Sequence, residues 1–281
     1  MRTRDFLLKL AIPLILLVPS CDTASAQSTA DAISARLKGQ PLYLRGGWRE
    51  DKLKFDADGQ PKENYKAVPF TEAGIDVYSV KMSGNRLRIT GQRVALAFPN
   101  GTPKRMDLTG KNYTGSITIE VQGVPGRDFG KALDAIFAPD LASLVPTMPI
   151  YWQDYAQKHL LPPNAEGTGS DPTATADKPI AGNGDNLVHV GGVVKKPTVI
   201  SSAAPEFDNA ARALKFSGNV EVYLWVLEDG SPSHLKIVRP VGMGLDEQAL
   251  AAVSKYKFAP ATLNGNPVKV DLYVDVNFQI F

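Results

Sequence analysis

The chain has 281 residues, 43% hydrophobic and 21% charged, with a formal net charge of +2 at neutral pH. These values fit one or two globular domains, and the near-neutral balance excludes a whole-chain electrostatic case for nucleic acid or a charged membrane surface. Cys21 is the only cysteine, which excludes an internal disulfide and leaves core burial to hold the fold.

The chain opens with Arg2 and Arg4, then an apolar run from Leu10 to Val18 around Pro13, then small residues ending Ala24-Ser25-Ala26. A basic start, a short apolar run and an A-x-A site describe a secretory signal peptide over residues 1–26. The run is shorter than the roughly 20 apolar residues of a membrane span, and Lys9 blocks its extension. A second cut is also written there. Val18-Pro19-Ser20-Cys21 resembles a lipobox, with Pro19 where a small or aliphatic residue is usual, and would leave a lipid on Cys21. The Ala-Ser-Ala site fits without such a mismatch. Removing residues 1–26 leaves a net charge of +1.

Residues 27–160 read as a β-rich domain. Ser116-Ile117-Thr118-Ile119-Glu120-Val121 alternates as a half-buried strand does, and 87–90 and 94–98 are similar. Turn signals fall at Asp58-Gly59, Asn100-Gly101 and Gly123. Asp128 is expected to cap a short helix reaching Phe137, and Tyr151–Leu160 predicts another. The expected class is α+β, with an antiparallel sheet and helices late in the domain. Residues 161–187 are rich in Pro, Gly, Ala and Thr and almost devoid of large apolar side chains, which marks a linker. As a coil it would reach about 25–30 Å.

Residues 188–281 form the most readable part. Pro205–Leu214 predicts a helix with Pro in its first turn. In Gly218–Val226, Val220, Val222, Leu224 and Val226 point one way, while Glu221, Tyr223 and Trp225 point the other. Glu228-Asp229-Gly230 is a turn signal, and Leu235–Arg239 returns. A helix follows Gly244, with Asp246 as the expected N-cap, Leu245 and Leu250 as a staple, and Leu245, Ala249, Ala252, Val253 and Tyr256 as its apolar stripe. After Asn264-Gly265, residues 268–280 alternate as one long strand. Helix, strand, strand, helix, strand predicts a three-stranded antiparallel sheet with both helices on its apolar face.

These residues resemble the C-terminal domain of TonB-type energy transducers. The resemblance runs from about Pro205 to Phe281. It rests on Gly218-Asn219-Val220-Glu221-Val222, Glu228-Asp229-Gly230, Val238-Arg239, Leu245-Asp246-Glu247-Gln248-Ala249-Leu250, Tyr256-Lys257-Phe258-Ala259-Pro260-Ala261 and Asn264-Gly265-Asn266-Pro267-Val268, in that order. It departs at Phe207-Asp208, where the family often has Tyr-Pro. It implies a periplasmic domain that grips a segment of an outer-membrane receptor as an added strand beside its own last strand. The implied partner-binding residues are Val268, Val270, Asp271, Leu272, Tyr273, Val274 and Val276. Cover of that edge by the first domain, or by a second copy in a homodimer, is the competing expectation. A full transducer also keeps a transmembrane anchor and a long Pro-rich spacer. A cleavable leader and a short linker suggest a borrowed module, associated with the membrane only through a lipid or a retained anchor. An atypical transducer with an uncleaved anchor is the alternative.

No catalytic set is legible. His159, His189 and His234 lack metal-helix spacing, and no phosphate loop, dinucleotide fingerprint or nucleophile elbow occurs. Asp56-Ala57-Asp58-Gly59 resembles part of a calcium loop, but Lys54 and Tyr65 occupy the positions of its first and closing ligands. An enzyme, a cofactor, a metal and nucleic acid are therefore not expected. Tyr223, Trp225 and Tyr273 on the polar side of their strands predict either an exposed contact patch or the surface on which the first domain docks.

Overall fold

The computed structural model describes residues 21–108, 115–162 and 187–280, with side chains from residue 29. The apolar leader, the residues Val18-Pro19-Ser20 and nearly all of the linker lie outside the described residues. Helix α1 (Cys21–Leu37) runs through Ala24-Ser25-Ala26 and lays Ile33 and Leu37 into a core.

That core lies beneath a seven-stranded sheet. Its strands are β1 (Leu42–Leu44), β2 (Lys52–Phe55), β3 (Gly74–Ser83), β4 (Arg86–Ala97), β5 (Lys104–Asp107), β6 (Ser116–Gln122) and β7 (Phe137–Ala138). The order is β2-β6-β4-β3-β1-β7, with β5 beside the end of β4. The alternation in β6 decides its faces: Ile117, Ile119 and Val121 are fully buried, and Ser116, Thr118, Glu120 and Gln122 are not. Leu53, Phe55, Leu87 and Ile89 extend the apolar layer, closed by α1 and by α2 (Gly130–Ile136) through Leu133 and Ile136.

Two expectations for this part need correction. The sheet is not wholly antiparallel, because β2 pairs with β6 in parallel. No hairpin connects them, so no tight turn imposes the antiparallel direction. Helices are also not confined to the end, since α1 opens the unit. The α2 N-cap position is Phe129, and Asp128 instead turns back on Gly130 N–H at 2.9 Å. Residues 87–90 and 94–98 belong to one strand. The second half of β4 is buried on both faces at Val94, Ala95, Leu96 and Ala97, because a second core begins there. Helix α3 (Ile150–His159) lies in that second core.

The second core is shared with residues 187–280. Two short strands, β8 (Val194–Lys195) and β9 (Thr198–Ser201), lead into α4 (Asn209–Ala213). The central sheet then takes β10 (Gly218–Val226) and β11 (Pro232–Arg239). It is followed by α5 (Leu245–Val253), β12 (Lys257–Ala259), β13 (Ala261–Leu263), β14 (Asn266–Val268) and β15 (Val270–Phe278). The sheet is antiparallel, in the order β11-β10-β15. Val220, Val222, Leu224 and Val226 face Leu245, Ala249 and Val253 of α5 within one apolar cluster. Small side sheets β12-β9 and β14-β13-β8 strap the chain around it.

Local chemistry moves several boundaries. Helix α4 begins only at Asn209, where the Asp208 carboxylate accepts Ala210 N–H, so Pro205 stays outside. Asp246 is not the cap of α5. Gly244, in the left-handed region, takes that position, and Asp246 accepts Val241 and Gly242 N–H at 2.8 Å each. The expected single terminal strand is two, because Val268 pairs with Ala261 in the hairpin closed by Asn264-Gly265.

Main-chain bonds knit the two parts. Phe98 N–H donates to Val241 C=O at 3.0 Å, and Met243 N–H to Leu96 C=O at 2.9 Å. Gly242 sits between them with a positive φ, and a Cβ there would lie 2.0 Å from Leu96 C=O. Trp152 and Tyr155 of α3 fill the seam around Phe98, with Phe70 edge-on to Trp152.

Candidate functional site

A three-stranded sheet has two edges, and their surroundings differ. Helix α3 packs along β11, and Lys236 of that strand donates to Asp154 of the helix at 2.6 Å. The β11 edge is also irregular. The register jumps between Trp225↔Ser233 and Tyr223↔Lys236, with His234 at φ 53 in the gap. That is a bulge, with one extra residue on the outer strand.

The β15 edge pairs on its inner side with β10 along its whole length, from Val226↔Val270 to Gly218↔Phe278. On its outer side the described residues supply one bridge, Val188 beside Val270, in which Val188 N–H donates to Lys269 C=O at 2.9 Å. Backbone polar groups alternate sides along a strand. With Lys269 C=O directed outward, the outward groups that follow are those of Asp271, Tyr273, Asp275 and Asn277. Residues 271–278 beyond the bridge have no strand partner on that side among the described residues. Of the core-facing side chains, Val270, Val276 and Phe278 are buried, but Leu272 and Val274 are only half-buried. The apolar layer is thus left open along the middle of the free edge.

The expected contact residues divide accordingly. Val268 is off the edge, committed to its hairpin, and Val270 is buried with Val188 across from it. Asp271, Leu272, Tyr273, Val274 and Val276 lie on the free run. Asp275 and Asn277 were missed because side-chain alternation alone does not tell which residues turn their main chain outward. That required the position of Val188.

The aromatic patch differs from expectation. Tyr223 and Trp225 are buried, and only Tyr273 is exposed, at 43%. Their cover comes from their own domain. His234 stacks on Trp225 at 3.6 Å, Lys269 lies over the same ring, Trp225 Nε1 donates to Tyr223 Oη at 2.9 Å, and Tyr273 meets Tyr223 edge-on. The first domain docks through α3 and the end of β4 instead. The three histidines are exposed, each beside a neighbour. His159 packs on Tyr155, and His189 lies 3.5 Å from Asp271. The Asp56–Gly59 stretch is a turn in which Asp56 accepts Asp58 and Gln60 N–H, and Asp58 pairs with Arg127 and Lys131.

Four carboxyls meet at the seam, a feature with no local sequence signal. Glu72 comes from a 3-10 turn of the first domain. Asp208, Asp246 and Glu247 come from α4 and α5. Glu247 accepts Trp152 Nε1–H at 2.8 Å, and Thr71 Oγ1 accepts Gly244 N–H at 3.1 Å. Glu72 is 6% exposed, and its Oε1 has no hydrogen-bond partner among the described residues. Burial, then the Asp208 charge, pushes Glu72 up to about 8, against a weaker pull from Arg49. Burial raises Asp246 and Glu247 too, opposed by backbone N–H bonds at the first and by the Trp152 bond at the second. These carboxyls are not arranged to hold a metal ion, and no other such group is found among the described residues.

The helix-backed, three-stranded antiparallel sheet with one open terminal edge is the architecture of the C-terminal segment. Residues 203–280 match the family model of the Gram-negative bacterial TonB protein C-terminal, and this segment is a TonB C-terminal-like domain. Protein TonB of Vibrio cholerae serotype O1 is 28% identical over 90 residues, 31% of this chain and 37% of that protein. The chain therefore spans little more than a third of the length of that curated relative. The solution structure of the Pseudomonas aeruginosa TonB CTD aligns at 18% identity, over 34% of this chain and 96% of that one, with a TM-score of 0.25.

Proposed function

We propose that this chain is an exported, periplasmic cell-envelope protein associated with TonB-type transport, and that its C-terminal domain takes up an extended segment of a partner protein along residues 271–278. The partner class favoured by the family match is an outer-membrane receptor segment. The observation that carries this reading is the asymmetry of the sheet, whose β11 edge is covered by α3 while β15 keeps an outward row of main-chain groups. An added strand would satisfy those groups and cover Leu272 and Val274, so main-chain bonds supply affinity and the half-buried aliphatics supply selection. The role is one of binding, not catalysis.

An energy transducer with a retained anchor is the rival reading. It is favoured by the continuity of α1 across Ala24-Ser25-Ala26. Among the described residues no helix is long and apolar enough to cross a membrane. The intact mass and membrane fractionation of the mature chain separate the two.

A pair of prolines tests the binding edge. Asp275→Pro removes an outward N–H and leaves the β10 ladder in place, so the domain should fold. Its affinity for peptides copied from the periplasmic segments of the host's outer-membrane receptors should fall about tenfold or more. Val274→Pro removes an inward N–H and should instead cost about 3 kcal/mol of stability. Unchanged peptide affinity in a folded Asp275→Pro variant rules out strand addition at this edge.

A further inference from the structure

The seven-stranded sheet buries one face under α1 and α2, and among the described residues no helix covers the rows of β2, β6, β4 and β3 on the other. That open face carries a charge pattern set by register. Lys54, Glu120, Arg88 and Lys81 are direct neighbours across β2, β6, β4 and β3, and form one row. Lys52 and the hydroxyls of Thr118, Thr90 and Ser79 form the next row. Arg86 extends the positive surface at the far end of β4. Five cations stand against Glu120 and the rim residue Glu63. The local excess of three positive charges exceeds the +2 of the entire chain.

Two of the cations are already paired, Lys54 with Glu63 and Arg88 with Glu120. Lys52, Lys81 and Arg86 have no ion pair among the described residues. The bulge in β3 between Val77 and Ser79 brings up Tyr78, which is 54% exposed and shares a hydrogen bond with Ser116 Oγ at 3.2 Å. The trough lined by these side chains holds about 730 Å³, within the roughly 300–1,000 Å³ typical of ligand sites.

We propose that this face binds an acidic polysaccharide, independently of strand addition at the other end of the molecule. The free lysines and Arg86 fit carboxylates spaced along a chain. The Tyr78 ring offers an apolar plate for the C–H face of a pyranose, with its hydroxyl already anchored. Glu120, in the middle of the charged row, and the threonine and serine hydroxyls accept hydrogen bonds from sugar hydroxyls. That carboxylate argues against a polyphosphate chain, which offers it no donor. Among the described strand residues of this face, Tyr78 is the only exposed large apolar side chain, which leaves little to insert among lipid tails.

The test uses the intact mature chain and three probes: polygalacturonate, neutral dextran of matched length, and vesicles containing phosphatidylglycerol. Polygalacturonate should bind, weaken steeply up to about 0.3 M salt, and exceed dextran throughout. The Lys52→Glu, Lys81→Glu double variant should lose about tenfold or more, and Tyr78→Ala about three- to tenfold. These positions are exposed, and unchanged thermal unfolding checks that both variants fold. Binding to dextran as strong as to polygalacturonate would overturn the proposal. So would stronger binding to the vesicles, or polygalacturonate binding that both folded variants retain in full.

Discussion

The two edges of the C-terminal sheet have similar lengths and opposite treatment. On β11, Pro232 opens the strand, a bulge at His234 breaks its register, and α3 packs along it. On β15, nine residues run without a proline or bulge, and among the described residues the one outer strand neighbour is Val188. Exposed edges invite unwanted pairing, and natural sheets blunt them with prolines, bulges and cover. Here the protections gather on one edge and are nearly absent from the other. The first domain is thus more than a neighbour. It covers the β11 edge through α3, and under the proposed strand addition β15 is the edge left to pair.

The largest effect should come from breaking that cover. Trp152 is fully buried, touches Phe70 and Phe98, and bonds Glu247 across the seam. Trp152→Ala should cost about 3–5 kcal/mol in urea unfolding. Amide exchange in β11 should rise with it, while exchange in β10 should rise less. If β11 protection is unchanged in a folded Trp152→Phe variant with reduced stability, the seam does not guard that edge.

The strands of the sheet were legible because their signals are local. Val220 to Val226 and Val270 to Phe278 alternate in the sequence and form the longest pairing of the C-terminal sheet. Local rules erred where tertiary partners intervened. Asp246 has the residue type and spacing of a helix cap, yet its carboxylate is held by Val241 and Gly242 N–H. Tyr223 and Trp225 fall on the polar face, but the bulge at His234 turns an imidazole over the indole. The seam had no signal at all. Thr71 and Gly244 are 173 positions apart, and Trp152 and Glu247 are 95 apart. No periodicity or spacing joins such pairs. The acidic residues of the seam look like an ordinary charged surface until the fold buries them.

A smaller effect should come from the protons of that seam. The native Glu72 carboxyl titrates at about 8, above its ordinary value of 4.5. An acid raised on folding contributes most below its unfolded value, and that contribution is lost as pH rises through the folded value. Docking should therefore weaken between about pH 4.5 and pH 8, by at most roughly 1.4 kcal/mol per pH unit for each such carboxyl. Glu72→Gln keeps the shape and removes the charge, so its melting temperature should exceed the wild type at pH 8 and match it near pH 5. Parallel pH profiles for the two proteins would remove Glu72 from the coupling.

The smallest effect tests where the open edge begins. Val188 N–H is the described main-chain donor on the outer side of β15, and it ends at Lys269 C=O. Val188→Pro deletes that donor and should cost about 0.5–1.5 kcal/mol. Amide exchange at Asp271, the next outward residue after the Val188–Val270 bridge, should accelerate while residues 220–226 keep their protection. The freed positions lengthen the edge by one outward residue, so an added peptide strand should gain affinity by a fewfold at most. A loss of peptide affinity would mean that Val188 helps to hold the partner. The segment from Val188 to Val190 would then belong to the binding surface, no longer a strap that limits it.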